Sequence, residues 1–180
     1  KGMGALYIRK GVALHPLIFG GGQEQGLRSG TENVPAIVGF GVACDIWAQI
    51  AHQVRDNLYN LRKRLISGIA GVFPDAVLNG PPLENVAPHI VNFSFPGFRG
   101  ETLLNALEQR NVFVSTGSAC SSRKSKPSPV VLALGKSEAE ALSAIRFSMS
   151  PFTTAEEVDI TVSALEDALK ELGPWRRKLT

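Results

Sequence analysis

Apolar and polar positions alternate strictly in two short stretches. Over residues 90–95, Val91, Phe93 and Phe95 fall on one face and Asn92 and Ser94 on the other. Over residues 144–149, Ile145, Phe147 and Met149 share a face and Arg146 lies opposite. A period of two predicts strands that bury one side. Three shorter strands are expected at residues 5–9, at Val77 and Leu78 before the turn Asn79-Gly80-Pro81-Pro82, and at residues 112–115. A helical period replaces alternation elsewhere. Residues 33–71 read as one long helix, with Pro35 in its first turn and Val54, Leu58, Leu61 and Leu65 spaced four, three and four apart. A helix of that length joins two bodies more readily than it sits inside one. Residues 101–109 form a helix with Leu103, Leu104 and Leu107 inward, and residues 129–134 a short one closed by Gly135. The last helix starts at Thr154, where Glu157 completes a capping box, and carries the stripe Val158, Val162, Leu165, Leu169 and Leu172 before Gly173-Pro174 stops it. The order predicts a small α/β sandwich reached by a long helix.

Composition supports a packed core. Hydrophobic residues make up 44% of the 180, charged residues 19%, and the net charge of +3 is scattered. That excludes disorder and gives no footprint for nucleic acid. The local exception is the cluster Arg123, Lys124 and Lys126. Two cysteines, Cys44 and Cys120, are too few for a secreted disulfide scaffold and predict a reducing, cytoplasmic setting. The apolar runs read as too short to span a bilayer. The first ten residues run into a strand-like segment without a start Met, which predicts further sequence upstream.

Four features could carry chemistry. Cys120 follows Ser115-Thr116-Gly117-Ser118-Ala119, small and polar residues that do not hide a thiol. Arg123, Lys124 and Lys126 nearby would favour its nucleophilic thiolate. A catalytic thiol and a plain loop cysteine both fit. Cys44, between Ala43 and Asp45 in the long helix, reads as inert packing. Arg146 stands on the polar side of its strand, where a rigid guanidinium could bind a carboxylate with two parallel hydrogen bonds or be merely solvated. Gly30-Thr31 ends the glycine-rich loop Gly20-Gly21-Gly22 to Gly30 and opens the long helix, so it suits an anion such as phosphate, or a simple N-cap. Arg28 could join that anion site or pair with Glu24 or Glu32. His15, His52 and His89 have no ligand spacing, and no metal site is expected.

Together these segments resemble the C-terminal part of cysteine desulfurases of the NifS/IscS type, a branch of the class V aminotransferases. The marks are Lys1-Gly2-Met3-Gly4-Ala5-Leu6-Tyr7, Gly20-Gly21-Gly22-Gln23-Glu24 and Leu27-Arg28-Ser29-Gly30-Thr31-Glu32-Asn33. They continue with Val91-Asn92-Phe93-Ser94-Phe95, Gly100-Glu101, the stretch from Ser115 to Cys120, and Ile145-Arg146-Phe147-Ser148 followed by Phe152-Thr153-Thr154. Ser128-Pro129, Ser150-Pro151 and Gln25 depart from the usual residues of that family.

The resemblance implies a fold-type I transferase that uses pyridoxal 5'-phosphate. It implies that residues 1–32 end the large domain, with its last strand, that residues 33–71 form a linking helix, and that residues 72–180 form the small domain with the cysteine loop. It further implies removal of sulfur from L-cysteine to give L-alanine and a persulfide on Cys120, substrate carboxylate binding by Arg146, and contact of Thr31 with the cofactor phosphate of the partner subunit in a homodimer. The family's loop after the cysteine is long and mobile, which would let the thiol deliver sulfur to an acceptor such as an iron–sulfur scaffold protein. The lysine that holds the cofactor precedes the position of Lys1 in that family, so this chain by itself is expected to be inactive. Two other readings are another class V C–S lyase, acting on selenocysteine or cystine, and a non-catalytic module that binds an assembly partner. No membrane or nucleic-acid partner is expected.

Overall fold

The computed structural model describes residues 2–83, 85–116 and 127–176. The chain forms two compact units, Lys1–His52 and Gln53–Thr180, and a 39-residue helix, α1 (Val34–Val72), contributes to both.

The first unit is loop and helix. A 3₁₀ turn spans Gln23–Gly26, and α1 begins after it. The strand expected over residues 5–9 does not form. A strand is completed by the ladder of a neighbour, and among the described residues of this unit no strand lies beside it. Leu6 and Tyr7 are exposed accordingly. Ser29 is the one buried side chain among the described residues of this unit. Leu17, Phe19, Val38 and Trp47 are exposed. So is Cys44, which corrects the expectation that it packs in a core. An 18-residue stretch of α1 has a mean hydropathy of 1.6, and none of it is buried. By length and composition it could cross a bilayer, so the expectation that every apolar run is too short does not hold.

The second unit holds the core. Its sheet has three antiparallel strands in the order β1 (Val77–Leu78), β2 (Ile90–Ser94) and β3 (Ala144–Ser148). Val91 opposes Phe147 and Phe93 opposes Ile145, so the apolar positions of both strands share one face. Helices α2 (Gly100–Glu108) and α5 (Ala155–Leu172) and the second half of α1 close over that face. The predicted stripe of α1 is buried at Leu58, Leu61 and Leu65 and extends to Ile69. Leu103 and Leu107 come from α2, and Val158, Leu165 and Leu169 from α5. Each such side chain contributes about 1.5–3 kcal/mol by leaving water. The capping box of Thr154 and Glu157 forms as expected.

Arg62 of α1 is buried, without a carboxylate partner among the described residues. It donates to the carbonyls of Pro81 (2.9 Å), Pro82 (2.8 Å) and Ile90. Burial lowers its pKa, and the Tyr59 phenol opposes that shift. The three bonds pin the Asn79–Pro82 turn and the start of β2 to the helix.

The opposite, polar face of the sheet is only partly covered. Two short helices stand there, α3 (Pro129–Ala133) and α4 (Glu138–Leu142), and α4 packs on β2. Helix α4 was not expected, because five residues show no helical period. Its sequence signal is the capping box of Ser137 and Glu140, in which the Ser137 amide and hydroxyl both donate to the Glu140 carboxylate at 2.8 Å. Those bonds from Ser137, with help from Lys136, lower the Glu140 pKa. The strand expected over residues 112–115 also does not form. The Val112 amide donates back to the Leu107 carbonyl at the end of α2, which ties this segment to the helix. Only Ser115 reaches the sheet, as a single bridge to Arg146.

Candidate functional site

The polar face of the sheet carries one transverse row of side chains. Asn79 follows β1 and donates its amide to the Asn92 carbonyl at 2.9 Å. Asn92 of β2 lies directly opposite Arg146 of β3. Arg146 is bridged on its other side by Ser115. Directly opposed residues of antiparallel strands project on the same face, so Asn79, Asn92, Arg146 and Ser115 form a line across it.

Arg146 is exposed, and its guanidinium has no ion-pair or hydrogen-bond partner among the described residues. An unpaired guanidinium on a strand can take a carboxylate in bidentate fashion. Ser115 is held to it through the backbone in both directions. The Ser115 amide donates to the Arg146 carbonyl at 3.1 Å, and the Arg146 amide donates to the Ser115 carbonyl at 2.7 Å. The chain leaving this bridge is tightly placed, because Gly100 approaches it closely. A Cβ on Gly100 would stand 3.0 Å from the Ala144 carbonyl oxygen and 3.2 Å from the Thr116 methyl. The chain returns at Ser128, a buried residue that caps α3 by accepting from the Val131 amide. Cys120 itself, with Arg123, Lys124 and Lys126, lies outside the described residues.

Beside Arg146 the row is hydrogen-bonded, and it is buried at Asn79. The Asn79 Nδ2 group donates to Asn92 Oδ1 at 2.7 Å and to Ser94 Oγ at 2.8 Å. Ser94, fully buried, donates in turn to the Glu140 carbonyl of α4 at 2.8 Å. Asn79 Oδ1 is a buried atom left without a partner. Sequence patterning assigned Asn92 and Ser94 to the polar face but did not single out Asn79 or Asn92 as site residues.

Thr31 belongs to the first unit. It is exposed, and it does not cap α1: the Ala36 amide donates to Asn33 Oδ1 at 3.2 Å, so Asn33 does. The glycine loop before it is closed on itself. Ser29 Oγ donates to the Gly21 carbonyl at 2.9 Å, and the Gly30 amide is taken by Gln23 Oε1 at 3.3 Å. The Gly30 amide is therefore engaged, and the exposed Thr31 hydroxyl stands beside it at the mouth of the helix. Arg28 donates to the Ser29 carbonyl and makes no ion pair with Glu24 or Glu32. Among the described residues no group of His, Cys, Asp and Glu is arranged to hold a metal ion.

Residues 1–161 match the aminotransferase class V family. The chain belongs to the class V aminotransferases. Among curated relatives, the cysteine desulfurase IscS of Clostridium botulinum (strain Hall) is 43% identical over 172 residues, which is 95% of this chain and 43% of the relative. Cysteine desulfurase of Homo sapiens is 44% identical over 174 residues, 96% of this chain and 37% of the relative. The solved structure of a NifS-like protein superposes on 92% of this chain and 42% of its own, with a TM-score of 0.80 and 40% identity. The α/β fold of this class V chain is thus shared with a relative of known structure. The chain spans less than half the length of the curated relatives it matches.

Proposed function

We propose that this chain supplies the C-terminal part of a cysteine desulfurase, a fold-type I transferase. In that reading residues 1–32 end the large domain, residues 33–71 link it, and residues 72–180 form the small domain. The apolar side chains exposed on the first unit pack, in the complete protein, against the rest of the large domain and a second subunit.

The observation that carries the reading is the two-way bridge between Ser115 and Arg146. It starts the segment that carries Cys120 beside Arg146, a cation suited to an amino acid's carboxylate. Arg146 holds that carboxylate by two parallel hydrogen bonds. Arg123, Lys124 and Lys126 favour the thiolate of Cys120. The thiolate attacks the sulfur of L-cysteine; an S–S bond forms as the substrate C–S bond breaks. The carbon fragment takes up a proton and leaves as L-alanine, and the sulfur stays on Cys120 as a persulfide. Pyridoxal 5'-phosphate, when bound, supplies the electron sink for the C–S bond cleavage. The residues present fit it at one point: the exposed Thr31 hydroxyl, unused for capping, is a donor for a phosphate oxygen of the partner subunit's cofactor. Neither Lys1 nor Lys10 is given the anchoring role.

The sulfur then passes to an acceptor protein, such as an iron–sulfur scaffold, in the cytoplasm. A C–S lyase acting on selenocysteine or cystine would use the same carboxylate site, but the stretch from Ser115 to Cys120 favours the desulfurase. A non-catalytic partner-binding module is the other reading, and release of L-alanine from L-cysteine separates the two. The complete protein, loaded with cofactor and given L-cysteine and a thiol reductant, is expected to release L-alanine and sulfide in equal amounts. A cofactor-loaded protein that releases neither would reject the proposal.

A further inference from the structure

Hydrogen-bond direction can be followed across the polar row from a fixed starting point. The Glu140 carbonyl can only accept; it takes the Ser143 hydroxyl at 3.0 Å and, at 2.8 Å, the single hydroxyl proton of Ser94. Ser94 Oγ must then accept from Asn79, and the Asn79 atom that faces it must be the amide nitrogen. That nitrogen's second proton goes to Asn92, which must present its oxygen. The orientation of both carboxamides is thereby set by a backbone carbonyl of α4 rather than by choice between two similar ends. The arrangement has a cost: Asn79 Oδ1 is left buried and unpartnered, which is unfavourable for any polar atom.

The consequence falls on Asn92. Its Oδ1 is engaged on the β1 side of the strand, and Arg146 stands directly opposite Asn92 on the β3 side in the register. Asn92 is only half-buried, and its Nδ2 has no partner among the described residues. We propose that Asn92 Nδ2 is a second donor to the substrate's carboxylate beside Arg146, and that Asn79 and Ser94 are positioning residues that keep it pointing there. This deepens the desulfurase reading and rests on its placement of the carboxylate at Arg146. Arg146 supplies charge and a bidentate fork; the amide, fixed in direction before substrate arrives, helps select a carboxylate over an uncharged group.

The test uses the complete, cofactor-loaded protein and calorimetric titration with two probes. L-alanine carries a carboxylate; cysteamine has the amine and thiol of cysteine without one. Asn92→Ala is expected to weaken L-alanine binding about 10-fold, as loss of one hydrogen bond to a charged group does, while cysteamine binding stays within about twofold. Ser94→Ala, which removes the directional lock without touching the probe, is expected to weaken L-alanine about three- to tenfold, again with cysteamine spared, and to raise KM for L-cysteine while kcat is retained. Equal losses for both probes, or no loss for either, would overturn the role of Asn92. Arg146→Ala separates the two levels of the argument. If it weakens L-alanine and Asn92→Ala does not, only the amide's role fails. If it too leaves L-alanine binding unchanged, the placement of the carboxylate fails, and the role of Asn92 with it.

Discussion

Replacing Cys120 with Ala in the complete protein is expected to lower sulfide production from L-cysteine by roughly 10³-fold or more, the scale of loss when an enzyme's nucleophile is removed. The cofactor's absorbance band should persist, because Cys120 acts on the substrate's sulfur and not on the cofactor. Thermal stability should change little, since Cys→Ala removes one sulfur atom from a run of small residues, Ser, Thr, Gly and Ala. Cys44 is the built-in control. It sits on α1 in the first unit, whereas the Ser115–Arg146 bridge belongs to the second. Cys44→Ala should leave turnover near that of the parent. Normal turnover by Cys120→Ala, measured as sulfide per minute at saturating L-cysteine, would contradict the assignment.

Arg146→Ala is expected to raise KM for L-cysteine about 10- to 100-fold, since charge-assisted hydrogen bonds to a carboxylate contribute roughly 1.5–3 kcal/mol. Its effect on kcat should be smaller, because a contact made equally in the bound and the transition states acts on binding. Arg146→Lys should recover only part of the loss; an ammonium keeps the charge but not the planar fork. The backbone bonds to Ser115 do not depend on the side chain, so the bridge should survive either change. Initial rates over a range of L-cysteine concentrations measure both parameters. An Arg146→Ala enzyme with unchanged KM would show that the carboxylate is held elsewhere.

The sequence made the second unit's core legible because alternation and helical period are local signals. Val91, Phe93, Ile145 and Phe147 could be assigned to one face, and Leu58, Leu61 and Leu65 to one stripe, without knowing the partner of either. What failed depended on neighbours. Residues 5–9 have the composition of a strand but no ladder beside them in this unit, and residues 112–115 are tied back to α2 by Val112. The Cys44 face of α1 looked like packing because it is apolar, yet nothing in its own unit covers it. The site divides the same way. Arg146 stood out as a charge on an otherwise apolar strand. That Asn92 is its cross-strand partner depends on strand register, and that Asn79 orients Asn92 depends on contacts with α4, a helix too short to show a period.

The central claim is that sulfur leaves L-cysteine onto Cys120. The most direct measurement is mass spectrometry of a digest of the complete protein, taken after L-cysteine is added without reductant. The account predicts that the peptide carrying Cys120 gains one sulfur atom, that the peptide carrying Cys44 gains none, and that one L-alanine appears for each sulfur bound. L-alanine released with no added sulfur on Cys120, or sulfur found on Cys44 instead, would contradict it.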